Sequence, residues 1–348
     1  MRHPVFIAGT TSSGSHLLAT MLDMHPEVII GPELQIFYNH FVFTEWPVAS
    51  SRILNAFRVS HSIPWKVARK LFPYPLKIPR LGHANNILRG YKGYGLNRGQ
   101  LLTILNQADS LKSFTDSLVT HFEHFRNKPD AIWGEKSLSN IFCFKEFRKI
   151  YPDLKIIIMA RDGRDSSSSA IKRGAEPLHA FGMWLLRMSA CIRALESEVP
   201  TLLLRYEDLT SDPETAIRKA CDFLEIEFRE NLLHPDQNEY WRTQSFHKTW
   251  GQSPTSGKIS TKSVGQYKKR LTAEQISLFW HTRLTPLGLA MFNGSYDNPA
   301  EVMSALGYGE ENKSESSVPF KLDVSTRDTA QALAEGWLAI NHHGMEQA

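Results

Sequence analysis

The apolar pattern begins almost at the first residue. Val5–Ala8 is a short hydrophobic run held between Pro4 and Gly9, which reads as a buried strand. Gly9-Thr10-Thr11-Ser12-Ser13-Gly14 is polar and bracketed by glycine, and Leu17, Leu18, Met21 and Leu22 then recur at helical spacing ahead of Pro26. Strand, loop and helix in that order predict a parallel α/β sheet. The rhythm returns at Ala131–Trp133, a strand, and in a helix carrying Ile141, Phe144, Phe147 and Ile150 ahead of Tyr151-Pro152. Leu154–Ala160 is the clearest buried strand in the chain. Phe181, Trp184, Leu185, Met188, Ile192 and Leu195 share one helical face, and Thr201–Leu204 is a further strand. Asp212 and Pro213 open a helix with Ala216, Ile217, Ala220, Cys221 and Leu224 inward. Residues from about 36 to 130 lose the rhythm and carry Phe37, Tyr38, Phe41, Phe43, Trp46, Trp65 and Tyr74. There Gly90–Gly99 reads as loop and Gln100–Phe125 as helix, and the whole stretch is expected to be an insertion that shapes a substrate pocket.

Composition narrows this picture. The chain has 348 residues, enough for one large domain or two modest ones. A net charge of +4 suits an anionic ligand. Basic residues form only short runs such as Lys268-Lys269-Arg270, so no nucleic-acid partner is expected. Cys143, Cys191 and Cys221 lie far apart, without metal-ligand spacing, and read as core thiols of a reducing compartment. No apolar run approaches about 18 residues, and Met1-Arg2-His3-Pro4 leads straight into a strand, so neither a membrane span nor a signal peptide is expected.

Two segments carry candidate chemistry. Gly9 and Gly14 have the spacing of a Walker A loop, whose backbone N–H groups and following helix bind phosphate or sulfate oxygens. Ser15 and His16 stand where a nucleotide triphosphatase has lysine and a magnesium-binding hydroxyl, so ordinary kinase or ATPase chemistry is not expected of this loop. Taken alone, it reads equally as a plain strand-to-helix turn. The second segment follows Ala160: Arg161-Asp162-Gly163-Arg164-Asp165, then Ser166–Ser169, then Lys172-Arg173-Gly174. Arg161 ends a buried strand, which puts a cation where α/β sheets bind ligands. Ser169 and Arg173 share a helical face, and an arginine fork with a hydroxyl suits a phosphate monoester. The alternative is a solvated basic helix end.

Together these segments resemble the sulfotransferases that use PAPS (3′-phosphoadenosine-5′-phosphosulfate). That family pairs a 5′-phosphosulfate loop after its first strand with an arginine and, eight residues on, a serine for the 3′-phosphate; Arg161 and Ser169 fit. Arg173 matches a further basic residue of the tyrosylprotein and bacterial branches. Phe6-Ile7-Ala8-Gly9, Leu22-Asp23-Met24-His25-Pro26-Glu27-Val28, Gly134-Glu135-Lys136-Ser137, Leu204-Arg205-Tyr206-Glu207-Asp208-Leu209 and Ser263-Val264-Gly265-Gln266-Tyr267 resemble other motifs of those branches, in order, from about residue 4 to about 310.

The resemblance implies a P-loop-containing three-layer α/β fold, a central parallel sheet flanked by helices, over residues 1–308. A polar extension, 309–348, follows, with a short helix expected at Thr329–Leu338. It implies PAPS as co-substrate and PAP (adenosine 3′,5′-bisphosphate) as product, with no metal. Ser12, Ser13, Gly14, Ser15, His16 and Leu17 are the expected 5′-phosphosulfate loop. Arg161, Ser169 and Arg173 are expected at the 3′-phosphate, Tyr206 near the adenine or ribose, and Ser263 and Lys268 over the nucleotide. Trp133 could stack on the base, but reads better as core. Ser12 stands where the family places a loop lysine or arginine that stabilises the leaving phosphate, leaving Lys136 and His16 as replacements. Glu33 is the expected general base, with His40, His61, His83, His121 and His124 as other candidates. The expected acceptor is a small molecule, aromatic or sugar-like, sulfated on a hydroxyl or amine by a cytoplasmic enzyme rather than a Golgi-type one. Two other readings stay open here: a non-catalytic nucleotide binder of this fold, and an atypical P-loop small-molecule kinase.

Overall fold

The structure is a computed structural model that describes residues 3–62, 87–88, 90–243, 259–309, 319 and 336–340. Five strands form its centre: β1 (Val5–Gly9), β2 (Val28–Ile30), β3 (Ile132–Glu135), β4 (Lys155–Ala160) and β5 (Thr201–Arg205). They run parallel in the order β2-β3-β1-β4-β5. A parallel sheet is covered on both faces, which is why β1 and β4 read as unbroken apolar runs. Alternate residues feed opposite cores. Phe6, Ala8, Ile156, Ile158 and Ala160 join one, with the helices Leu111–Arg126 and Pro177–Leu195. Val5, Ile7, Ile157 and Met159 join the other, with the helices Ser15–Leu22 and Pro213–Leu224. The three-layer fold expected from the sequence is therefore the fold observed.

The stretch from 36 to 130 differs from its reading. Where one helix is expected over Gln100–Phe125, there are two, Arg98–Gln107 and Leu111–Arg126. Ser110 and Ser113 form a reciprocal capping box that starts the second helix and breaks the first. The helix Trp46–Ser62 was not legible as a helix at all. Five of the aromatic residues described here are core. Phe37, Phe57, Tyr94, Phe114 and Phe122 are fully buried. Phe37 meets Trp133 and Phe147 at ring distances of 5.9 and 4.9 Å, and Tyr94 meets Phe122 at 4.3 Å. They complete a hydrophobic core rather than line a pocket. Trp133 is likewise core, with its indole N–H directed to the Tyr94 hydroxyl.

Of the C-terminal extension, Leu338–Ile340 (β7) pairs antiparallel with Thr282–Leu284 (β6). Leu338 packs on Gly182, where a β-carbon would approach its side chain to 2.7 Å. Leu338, expected to end a helix, therefore starts a strand; residues 329–335 lie outside the described residues, as do Trp65, Tyr74 and His83.

Candidate active site at the carboxyl edge of the sheet

After β1 the chain crosses to β2 on one side of the sheet, and after β4 it crosses to β5 on the other. The carboxyl ends of β1 and β4 thus flank a topological switch point, the place where open α/β sheets bind ligands. Gly9 is in register with Met159, so the Gly9–Gly14 loop and Arg161 emerge side by side. The loop is tight: Ser12 (φ 67°) and Gly14 (φ 91°) are left-handed, and the Ser13 N–H donates to the Thr10 carbonyl at 3.1 Å. Gly14 caps the helix Ser15–Leu22 without a side-chain bond, leaving the first-turn N–H groups facing out of the helix end. A β-carbon on Gly14 would lie 2.4 Å from the Tyr206 ring, so only glycine lets the loop rest on that ring. Leu17 is buried in the core beneath, and the His16 ring lies edge-on to Trp241 at 4.8 Å.

One charged pole forms where the loop meets β4. Arg161 donates to the carbonyls of Ser12 (2.8 Å) and Ser263, and its guanidinium stacks 4.4 Å over Tyr206. Arg173 donates to Ser169 Oγ at 2.9 Å and to Ser12 Oγ at 2.6 Å. Arg161, Ser169, Arg173, Tyr206, Ser12 and Ser263 are thereby brought together. Burial, then the neighbouring Arg161 and Arg270, hold the Arg173 pKa below its ordinary value. Arg270 was not singled out in the sequence, although the short basic run there is its signal; Lys268 is exposed. Asp165 was also missed as a placed residue. It is buried 3.8 Å from Arg161 and accepts the N–H groups of Gly265 and Tyr267, both at 2.7 Å. Those bonds tie the late loop to the pole.

The second pole forms at the ends of β2 and β3. Buried Glu135 accepts the Leu34 N–H at 2.9 Å and Ser137 Oγ accepts the Gln35 N–H at 3.0 Å, which fix the segment bearing Glu33. Glu33 forms an ion pair with Lys136 at 2.7 Å and accepts from Gln35 Nε2 at 3.0 Å. Burial raises the Glu33 pKa, but Lys136, Gln35 and Arg187 together outweigh it and hold the carboxyl below its ordinary value. Burial pushes the nearby Tyr38 phenol up to about 12. Of the other histidines, His40 packs near Cys143, while His121 and His124 bond to the carbonyls of Gly95 and Thr120.

The loop and the arginine cluster beside it fit an anionic ligand. Ser13 Oγ, Arg161 Nε and Arg187 Nε are buried polar atoms without a protein partner, and all three border the loop. Among the described residues, no group of three or more His, Cys, Asp or Glu side chains could hold a metal ion.

A parallel α/β sheet with a glycine-capped loop, a cationic pole and an ion-paired pole at its switch point defines an anion-binding class of P-loop-type folds. The chain belongs to the sulfotransferase family: the family model "Sulfotransferase family" matches residues 4–230, and "Sulfotransferase domain" matches residues 175–288. It is similar to Protein-tyrosine sulfotransferase A of Caenorhabditis elegans, with 25% identity over 67% of this chain and 52% of the relative. It is also similar to Protein-tyrosine sulfotransferase 1 of Danio rerio, with 24% identity over 67% of this chain and 56% of the relative. The chain spans about half the length of these curated relatives. A solved sulfotransferase domain from the curacin biosynthetic pathway shares the fold, at a TM-score of 0.52 and 17% identity over 78% of this chain and 92% of that one.

These relatives correct two expectations. The small-molecule acceptor is set aside, because the curated relatives are named for a protein tyrosine. Of the aromatic residues that suggested an apolar pocket, Phe37 is core, and Tyr38, Phe41, Phe43 and Trp46 are partly buried. The cytoplasmic placement falls with it, because it disfavoured the very enzymes the relatives are named as. Among the described residues no helix is long and apolar enough to cross a membrane, which assigns no compartment.

Proposed function

We propose that the chain transfers a sulfuryl group from PAPS to the phenolic oxygen of a protein tyrosine. The observation that carries this reading is the Glu33–Lys136 ion pair, joined through the charge of Arg187 to Thr11 of the glycine-capped loop, with the Arg161–Ser169–Arg173 cluster on Ser12 of the same loop. In it, Ser12, Ser13, Gly14, Ser15, His16 and Leu17 form the cradle for the 5′-phosphosulfate, with backbone N–H groups as its main donors. Arg161, Ser169 and Arg173 hold the 3′-phosphate, Tyr206 braces loop and arginine, and Ser263 and Lys268 belong to the late loop over the nucleotide. Residues 1–308 are the catalytic unit and 309–348 its extension.

The chemistry asked of the protein is positioning, proton removal and charge stabilisation. Glu33 takes the acceptor's hydroxyl proton. Its depressed pKa keeps it ionised at neutral pH, ready as a base. Lys136 holds that carboxylate in place and adds positive charge beside the transferring group. Sulfur gains a bond to the acceptor oxygen as its bond to the 5′-phosphate oxygen breaks, and that oxygen keeps the electron pair.

The test has two arms. Calorimetry compares PAP with ATP, and radiolabelled PAPS is offered with a tyrosine peptide and its phenylalanine counterpart. The reading expects PAP to bind, ATP to bind far more weakly, and label to enter only the tyrosine peptide. Tight ATP binding without PAP binding sinks it, and so does PAP binding with no labelled peptide, which favours a non-catalytic binder.

A further inference from the structure

Arg187 lies on the Pro177–Leu195 helix, one turn from the fully buried Cys191, on a face that is otherwise apolar. Its guanidinium donates to Thr11 Oγ1 at 3.0 Å and Ser139 Oγ at 3.3 Å, and its Nε is buried without a partner. Among the described residues no carboxylate lies within ion-pair distance of it. Burial lowers its pKa, against the opposing influence of Glu33, Cys191 and Tyr38. A desolvated cation held mainly by neutral hydroxyls is incompletely compensated and is poised for an anion.

The adjoining loop is where such a cation is needed. Sulfuryl departure puts negative charge on the 5′-phosphate, and no Lys or Arg lies between Gly9 and Ser15. Ser12 cannot compensate: its carbonyl and hydroxyl are turned to Arg161 and Arg173 at the other pole. Lys136 is engaged by Glu33 at 2.7 Å, and the His16 ring lies against Trp241. Arg187 is the cation that reaches Thr11 from outside the loop.

We propose that Arg187 is a catalytic residue that takes the place of the missing loop cation, its guanidinium stabilising the charge that the leaving 5′-phosphate oxygen gains. This rests on the sulfuryl-transfer reading above. As the acceptor oxygen bonds to sulfur and its proton passes to Glu33, the electron pair of the broken sulfur–oxygen bond stays on the phosphate, beside Arg187. The positive charge has moved from the loop to a helix packed against it.

The test uses the full chain with Arg187→Ala and Arg187→Lys. PAP affinity is measured by calorimetry, and loss of radiolabelled sulfuryl from PAPS is followed in a single turnover, counted whatever group accepts it. Arg187→Ala is expected to slow that loss by about 100-fold or more while PAP affinity changes less than about 3-fold, the split that marks a transition-state contact. Arg187→Lys is expected to be intermediate, and added guanidinium to speed the alanine variant. An unchanged rate, an affinity loss as large as the rate loss, or no guanidinium response in a variant with the parent's melting curve overturns the role. If the parent chain binds no PAP or never releases sulfuryl, the transfer reading has failed and this inference with it; loss confined to the variants leaves that reading intact.

Discussion

The two poles of the site are built on different principles. At the nucleotide pole, Arg161 and Arg173 are held by carbonyl and hydroxyl oxygens of the loop and its neighbours, and Arg270 adds a third like charge. Positive charge there exceeds negative, with Asp165 the nearest carboxylate to Arg161 at 3.8 Å. At the transfer pole, base and cation neutralise one another, since Glu33 and Lys136 pair at 2.7 Å. The first arrangement attracts an anion and holds it; in the second the base stays paired with its own cation until an acceptor disturbs it, with Arg187 close by. Binding and chemistry are thus separable by substitution, and four changes test how cleanly.

The largest effect is expected from Glu33→Gln. The amide keeps the shape and a hydrogen-bonding oxygen but cannot accept the acceptor's proton. Turnover should fall by about 10²- to 10⁴-fold, the range for a general base, with PAP affinity in calorimetry close to that of the parent. Near-normal turnover would return the base role to a histidine and dissolve the distinction between the poles. Arg161→Ala is the converse. It removes charge-assisted hydrogen bonds worth about 1.5–3 kcal/mol, so PAP affinity should fall roughly 10- to 100-fold. Unchanged affinity would remove Arg161 from the nucleotide pole.

The difference between the poles also explains what could be read in advance. Arg161, Ser169 and Arg173 fall on one strand-to-helix junction, so their spacing is visible in the sequence. Strands β1 and β4 were legible because parallel strands buried on both faces are unbroken apolar runs, and the half-buried edge strand β5 still shows the apolar run Leu202–Leu204. Strand β2 is three residues long and gives no periodicity to read. Glu33, Lys136 and Arg187 come from three distant segments, and only tertiary structure shows that they converge. Arg187 was lost among the apolar positions of its helix. Its signal was the anomaly itself, a charge one turn from Cys191 on an inward face.

A subtler effect concerns pH. Burial raises the Glu33 pKa and Lys136 lowers it, with the lowering dominant. In the parent chain the acid limb of kcat/KM should therefore lie below that of an ordinary glutamate. Lys136→Met removes the leading depressing influence and leaves burial, so the acid limb should move to higher pH. Glu33 contributes stability that is present above its unfolded pKa and lost as pH falls through the lower folded one. The variant should accordingly lose less stability on acidification over that interval, measured by thermal melts across the pH range. A limb that stays in place would mean that Lys136 does not set the ionisation of Glu33.

The smallest effect is expected at Asp165, which lies 3.8 Å from Arg161 and ties the late loop to the nucleotide pole. Its carboxylate accepts from Gly265 and Tyr267, and Gly265 has the left-handed φ of 71° that those bonds help hold. Asp165→Asn keeps one acceptor oxygen and loses the other. One such bond is worth about 0.5–1.5 kcal/mol, so PAP should dissociate roughly 2- to 10-fold faster in stopped flow. Association should change little, because Arg161 and Arg173 remain in place. The sulfuryl-transfer step at saturating donor should also be unaffected, since Asp165 makes no contact with Glu33, Lys136 or Arg187. A fall in that step equal to the rise in dissociation would show that the late loop reaches across the site, and that the two poles are mechanically coupled rather than merely adjacent.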